Sequence, residues 1–268
     1  MRVPFTKMHG AGNDFVVVDH REPFLPAARA ELFARWCDRR RGIGADGVLL
    51  LERDPGHDFA MVYHNADGGA ADFCGNGARC LARFALERGL GAGGEVRFRT
   101  AVGVLRARSL ADGRIALAFG RVSGGEAVTL SAEGRSFTGR RIVAGVPHLV
   151  IPVPDVAAVP LAAWAPVLRS HAALGPGGAN VDFVARLADG RLAMRTWERG
   201  VEGETLACGS GAMATALWAA LEGAAPPVTV RTAGGEDLVV ELADGPGGHE
   251  ATLVGPAVTV FTGEWREP

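Results

Sequence analysis

Cys74 and Cys208 each stand before Gly-x-Gly and a helix-forming run: Cys74-Gly75-Asn76-Gly77-Ala78 and Cys208-Gly209-Ser210-Gly211-Ala212. Glycine lets a ligand approach the backbone closely. The first turn of a helix carries unpaired N–H groups and the positive end of the helix dipole, a seat for a carboxylate. The same field favours thiolate over thiol. Each unit therefore combines an anion seat with a base beside it. Two such units facing one another would put one sulfur on each face of a single carbon. A thiolate would remove a proton and a thiol would return one from the other side, inverting the carbon by general acid–base chemistry. Aimed N–H dipoles and exclusion of water would stabilise the carbanion between the two steps. Cys37 and Cys80 lack this setting and read as small buried hydrophobes.

The two cysteines are 134 positions apart, half of the 268-residue chain. Two further echoes keep the same order. Val96-Arg97-Phe98-Arg99-Thr100 returns as Val228-Thr229-Val230-Arg231-Thr232, and Gly44-Ala45-Asp46-Gly47-Val48 lines up with Asn180-Val181-Asp182-Phe183-Val184. Three ordered echoes imply two like-folded halves. The expected domains are 1–120 and 121–257, with a last strand at about 258–268 returning to the first. The stretches 120–125 and 134–139 read as linker or turn. Short β-type runs separated by Ala-Asp-Gly turns favour antiparallel hairpins. Three helices are expected, over 27–40, 75–88 and 209–222. The third is apolar nearly all round, which calls for burial on most sides.

Composition narrows the function classes. A net charge of −2 argues against a nucleic-acid or anionic-membrane partner. The opening MRVPFTKMHG has no apolar signal core. The longest near-continuous apolar stretch, Ala212 to Leu221, falls far below the roughly 20 residues that span a bilayer. A cytoplasmic protein with a small-molecule partner is expected. No C-x-x-C occurs, so no metal is expected. The single lysine, Lys7, lies in no recognisable cofactor setting. Pyridoxal phosphate needs a Schiff-base lysine, so no cofactor is expected.

The chain resembles the diaminopimelate epimerases along nearly its whole length. The resemblance rests on Lys7-Met8-His9-Gly10-Ala11-Gly12-Asn13-Asp14-Phe15, Gly42-Ile43-Gly44-Ala45-Asp46-Gly47, Asn65-Ala66-Asp67-Gly68 and Cys74-Gly75-Asn76-Gly77-Ala78-Arg79-Cys80. It continues in Pro147-His148, Asn180-Val181-Asp182-Phe183-Val184, Glu198-Arg199-Gly200 and the run from Gly203 to Gly211. The resemblance implies an α/β fold of the α+β type: two similar domains, each a mostly antiparallel sheet curled around a central helix. It implies cofactor-independent conversion of LL- to meso-diaminopimelate, a step of lysine and peptidoglycan precursor synthesis, with Cys74 and Cys208 as base and acid. It further implies that Asn13, Asn65, Asn180, Glu198 and Arg199 contact the amino-acid substrate and that Gly75-Asn76 and Gly209-Ser210 hold the carboxylate of the reacting carbon. His148 and Glu198 would tune the thiols. A homodimer is implied as well, with Phe261 near its interface.

The residues agree with several of these roles. An Arg199 guanidinium offers a planar fork for a distal carboxylate, and Glu198 offers a counter-charge for an ammonium. Neighbours on a strand point to opposite faces, so both reach inward only where the chain bends at Gly200. Many relatives have Asn where Val146 stands, and some have Gln in place of Gly47. Two other readings fit the same thiols: a racemase of another amino acid, such as histidine, and a thiol redox switch without turnover.

Overall fold

The computed structural model describes residues 2–266. The chain divides into two compact units, one of Met1–Ala118 with Gly255–Pro268 and one of Phe119–Val254. Both are sheet-dominated α+β units.

In the first unit, Arg2–Gly10 pairs antiparallel with both Asn13–Asp19 and the C-terminal strand Val258–Arg266. Asn13–Asp19 then runs parallel to Gly47–Glu52, which pairs antiparallel with Phe59–Asn65. Phe59–Asn65 runs parallel to Glu95–Thr100, and Glu95–Thr100 turns back into Gly103–Ser109. Helix α1 (Ala30–Cys37) lies outside. It presses Leu32, Phe33 and Trp36 onto Val16, Val18, Val48 and Leu50. Each large apolar side chain so buried is worth about 1.5–3 kcal/mol. Helix α2 (Gly75–Leu86) packs against all six of the strands between Arg2 and Ser109 that form this wrap.

The second unit repeats the succession. Arg135–Ala144 pairs antiparallel with Val146–Pro152, which runs parallel to Asn180–Arg186. That strand pairs antiparallel with Leu192–Glu198, which runs parallel to Val228–Arg231. Asp237–Gly245 and Gly248–Gly255 follow as antiparallel neighbours. Helix α3 (Leu161–Arg169) takes the outer place, over a core that includes Leu149, Val181 and Phe183. Helix α4 (Gly209–Leu221) takes the inner one, with every residue from Gly211 to Ala219 buried. The apolar girth of this run has its cause here: strands cover it on most sides.

Three expectations are corrected. The stretch 120–125 is not linker but part of the strand Ile115–Ala132, paired with Arg135–Ala144, which also contains most of 134–139. Its glycines mark an irregularity: the register shifts between Gly124 and Glu126, and Gly120, Gly124 and Gly125 have positive φ. Such glycines re-aim a strand without ending it. A fourth helix, α3, stands where none was expected, because Pro166 lies inside it and proline ordinarily breaks a helix interior. Helix α1 is shorter than the range 27–40, since Asp38 turns to extended backbone.

Candidate active site

Both cysteines act as helix N-caps. Cys74 is in extended conformation before α2, and its Sγ accepts from the Gly77 N–H at 3.5 Å. Cys208 does the same before α4, accepting from Gly211 at 3.4 Å. A sulfur here takes the place usually held by a Ser, Thr or Asp oxygen. Negative charge on it is then favoured by the N–H dipole and the helix field together. The N–H groups of Gly75-Asn76 and of Gly209-Ser210 belong to the first turns of the two helices.

Around Cys74 the structure gathers Asn13, Gly75 and Asn76. The Cys74 thiol donates to Asn13 Oδ1 at 3.4 Å, and Asn76 Nδ2 donates to the same oxygen at 3.2 Å. Asn13 Nδ2 donates to Asp46 Oδ2 at 2.6 Å. Asp46 receives Arg39 at 2.8 Å, and Arg39 also forks onto Asp14 at 3.1 and 2.7 Å. The lone lysine closes this network: Lys7 pairs with Asp14 at 2.7 Å and donates to the Gly44 carbonyl. Asn65 is placed differently. It stands exposed at the end of its strand, and its backbone closes a turn with Gly68 and Gly69.

Behind this site lies Arg79, fully buried. It donates to Asn76 Oδ1 at 2.8 Å and to the Gly75 carbonyl at 3.5 Å. Burial pulls its pKa down, while Cys80 and Cys74 push it back up. Burial pushes the thiols outside the two caps up, Cys37 to about 11 and Cys80 to about 12.

Around Cys208 stand Ser210, Glu198, His148, Asn180 and Arg199. Ser210 Oγ lies 3.4 Å from Sγ. Burial drives the Cys208 thiol well above its ordinary pKa, and the Glu198 and Asp182 charges add to the shift. Burial likewise raises Glu198, against a hydrogen bond from Thr205 at 2.5 Å and the neighbouring Cys208 thiol. His148 is fully buried, with Nδ1 2.7 Å from Asp182 Oδ2 and Nε2 3.4 Å from Asn180 Nδ2. Glu198 ends its strand and Arg199 already lies in the turn beyond it, so the two do not alternate as strand neighbours. The Arg199 N–H donates to Asn180 Oδ1 at 2.8 Å, and its guanidinium reaches the Gly177 carbonyl at 3.3 Å.

Sequence reasoning assigned no role to Asp46, Arg79, Asp182, Thr196 or Thr205. A signal for two of them existed: Asp46 and Asp182 occupy matching places in the internal repeat, and each holds an amide or imidazole next to its cysteine. Among the described residues no cluster of three His, Cys, Asp or Glu side chains could hold a metal ion.

A helix wrapped by a sheet, made twice in one chain, is a fold shared with solved structures. A Bacillus anthracis phenazine biosynthesis protein of the PhzF family superposes with a TM-score of 0.76 at 14% identity, covering 100% of both chains. A hydroxyproline epimerase from Agrobacterium vitis, solved with trans-4-hydroxy-L-proline, gives 0.73 at 18% identity, covering 98% of this chain and 92% of that one. At these identities the likeness establishes the fold alone. Sequence carries the assignment further. The family model described as diaminopimelate epimerase matches residues 5–129 and 141–260. The diaminopimelate epimerase of Aquifex aeolicus is 38% identical over 98% of both chains, and that of Gemmatimonas aurantiaca 41% identical over 97% of this chain and 98% of its own. The chain belongs to the diaminopimelate epimerase family, and it is an isomerase.

Proposed function

We propose that the chain epimerises LL-diaminopimelate to meso-diaminopimelate without a cofactor, in the cytoplasm, for lysine and peptidoglycan precursor synthesis. The observation that carries the reading is the paired N-cap geometry: one cysteine sulfur at the start of each inner helix, held by an N–H three residues on, at 3.5 and 3.4 Å. In one direction Cys74 is the base. It is the less buried residue of the two, and it has the Gly77 N–H and the Arg79 charge near it. Cys208 is the acid, since burial, Glu198 and Asp182 all favour its thiol. The Cys74 thiolate takes the α-proton, the electron pair remains on the carbon and its carboxylate, and the Cys208 thiol returns a proton to the opposite face. Cys74 ends as thiol and Cys208 as thiolate, ready for the reverse direction. The first-turn N–H groups at Gly75-Asn76 and Gly209-Ser210 hold the carboxylate as charge develops, where each aimed donor is worth about 3–4 kcal/mol. Arg199 and Glu198, with Asn13, Asn65 and Asn180, meet the rest of the substrate, and His148 and Glu198 set the thiol protonation. A homodimer is proposed too, supported by exposed Val258, Val260 and Phe261 on the C-terminal strand.

The test is incubation with LL-diaminopimelate in D₂O, followed by mass and chirality analysis. The reading expects one α-deuterium in the inverted product, and exchange greatly weakened by Cys208→Ser. Absence of uptake on this substrate would sink it. Val146 and Gly47, where many or some relatives carry amides, favour one rival, a racemase of another amino acid. Histidine therefore belongs in the same panel. Exchange absent from wild type on every amino acid tried would leave the redox-switch reading.

A further inference from the structure

Four hydrogen bonds converge on Asp182 in the second unit, three of them head to tail from Arg199 and the fourth from Thr196. The Arg199 N–H donates to Asn180 Oδ1 at 2.8 Å. That fixes the amide, so its Nδ2 is the group that faces His148 Nε2 at 3.4 Å. An NH₂ group only donates, so Nε2 presents its lone pair. The ring proton therefore sits on Nδ1 and donates to Asp182 Oδ2 at 2.7 Å. The other Asp182 oxygen accepts the Thr196 hydroxyl at 2.7 Å. Asp182 and His148 are both 0% exposed, so bulk solvent does not reach the links between them.

Only one proton pattern satisfies this chain. An imidazolium would set Nε2–H against the Asn180 NH₂. Turning the amide would relieve that clash and create another, NH₂ against the Arg199 N–H. The chain starts at a carboxylate, which can only accept, and this gives it its direction. The start of α4 presses on the same group: a Cβ at Gly211 would lie 2.6 Å from Asp182 Oδ1 and 3.2 Å from Thr196 Oγ1. The charged and titratable groups facing this pair are Glu198 from the strand Leu192–Glu198 and Cys208 from the start of α4.

We propose that Asp182 is the positioning residue of this site. By holding His148 as the neutral Nδ1–H tautomer, it aims the Asn180 amide and through it the Arg199 backbone. His148 thus works by orientation and carries no proton in the reaction. That refines its assignment above: the imidazole shapes the surroundings of the thiol without exchanging a proton with it. The part concerning substrate rests on the reading that Asn180 and Arg199 contact it. The part concerning the tautomer does not.

The experiment has two arms. ¹⁵N-histidine NMR of the full chain, with the His148 signals assigned by their loss in His148→Gln, reads the tautomer without any substrate. Wild type is expected to show a protonated Nδ1 and an unprotonated Nε2. An Nε2–H tautomer, or an imidazolium with both nitrogens protonated, overturns the proposal. The second arm compares Asp182→Asn with Asp182→Leu in the LL-diaminopimelate assay. Asparagine keeps an acceptor for Nδ1–H if its own NH₂ turns to the Thr196 hydroxyl; leucine removes it. Asp182→Asn is expected to keep the tautomer and hold KM within about twofold, while Asp182→Leu loses the tautomer and raises KM about tenfold, the cost of one broken buried hydrogen bond. Equal KM for the two variants overturns the proposal. If Asp182→Leu does not fold, the wild-type tautomer and the Asp182→Asn spectrum still decide. If wild type turns over no diaminopimelate, the functional reading fails while the tautomer result stands.

Discussion

Glu198 lies beside Cys208, and the two groups shift one another. Burial is the larger cause that holds the Cys208 thiol up, and the Glu198 carboxylate adds to it by setting a negative charge beside any thiolate. Replacing the carboxylate with an amide removes that charge, so Glu198→Gln should make the Cys208 thiolate easier to form. In a Cys74→Ala background, the midpoint of the pH profile for Cys208 alkylation, read by peptide mass spectrometry, should fall by about one pH unit. An unchanged or higher midpoint would show that burial alone sets this thiol.

The two N3 glycines are equivalent in the repeat but not in their neighbours. A Cβ at Gly77 would meet the Leu49 side chain at 3.0 Å, whereas one at Gly211 would lie 2.6 Å from Asp182 Oδ1. Leucine can shift by a few tenths of an ångström. Asp182 cannot without releasing His148 or Thr196. Gly211→Ala should therefore cost about 1–3 kcal/mol of folding stability in urea titrations, and Gly77→Ala less. Deuterium exchange should fall further for Gly211→Ala as well. Equal losses would contradict this account.

Much of the architecture was legible because glycine and cysteine punctuate it. The inner helices begin at the Gly-x-Gly of each repeat and end just before Gly89 and Gly223, as their spacing predicts. Elsewhere local signals conflicted with tertiary ones. Pro166 hid α3, and the positive-φ glycines at 120, 124 and 125 disguised a strand as a linker. The cysteines of the candidate site could be picked out because their chemistry needs only local context. The groups that orient their surroundings could not. Asp46, Arg79 and Asp182 look like ordinary charged residues until strand register and helix packing bring them onto Asn13, Asn76 and His148. Only the Asp46–Asp182 correspondence in the repeat hinted at their place, and nothing local marks Thr196 or Thr205.

The Lys7–Asp14–Arg39 network makes an acid-sensitive contribution to folding. Burial alone would raise the Asp14 pKa, but hydrogen bonds from Arg39 and Lys7 outweigh it and hold the carboxyl at about 2. The folded value lies below the unfolded one, so the contribution is present above the unfolded pKa of about 4. It is lost as pH falls from about 4 to about 2. Allowing for solvent screening it amounts to ~1–2 kcal/mol. Asp14→Asn should be less stable than wild type at neutral pH, and the gap in urea unfolding free energy should narrow across that acid window. A gap that stays constant with pH would assign the loss to packing around Lys7.

Arg79 offers the sharpest separation of stability from reactivity. Its guanidinium is fully buried and caught between two demands. Desolvation penalises the charge, while the charge favours any thiolate at Cys74. Methionine keeps a stem of similar reach and removes the charge. Replacing a buried charge with an apolar group often costs little, although Asn76 Oδ1 and the Gly75 and Pro256 carbonyls lose a donor. Arg79→Met should therefore stay folded, with a loss of about 1–3 kcal/mol for the unpaired acceptors. Cys74 should nevertheless become several-fold slower to alkylate at neutral pH, measured in a Cys208→Ala background. Arg79→Lys, which keeps the charge but not the fork, should recover part of that rate. If Cys74 reacts as fast in Arg79→Met as in wild type, the buried guanidinium serves only to hold Asn76 in place.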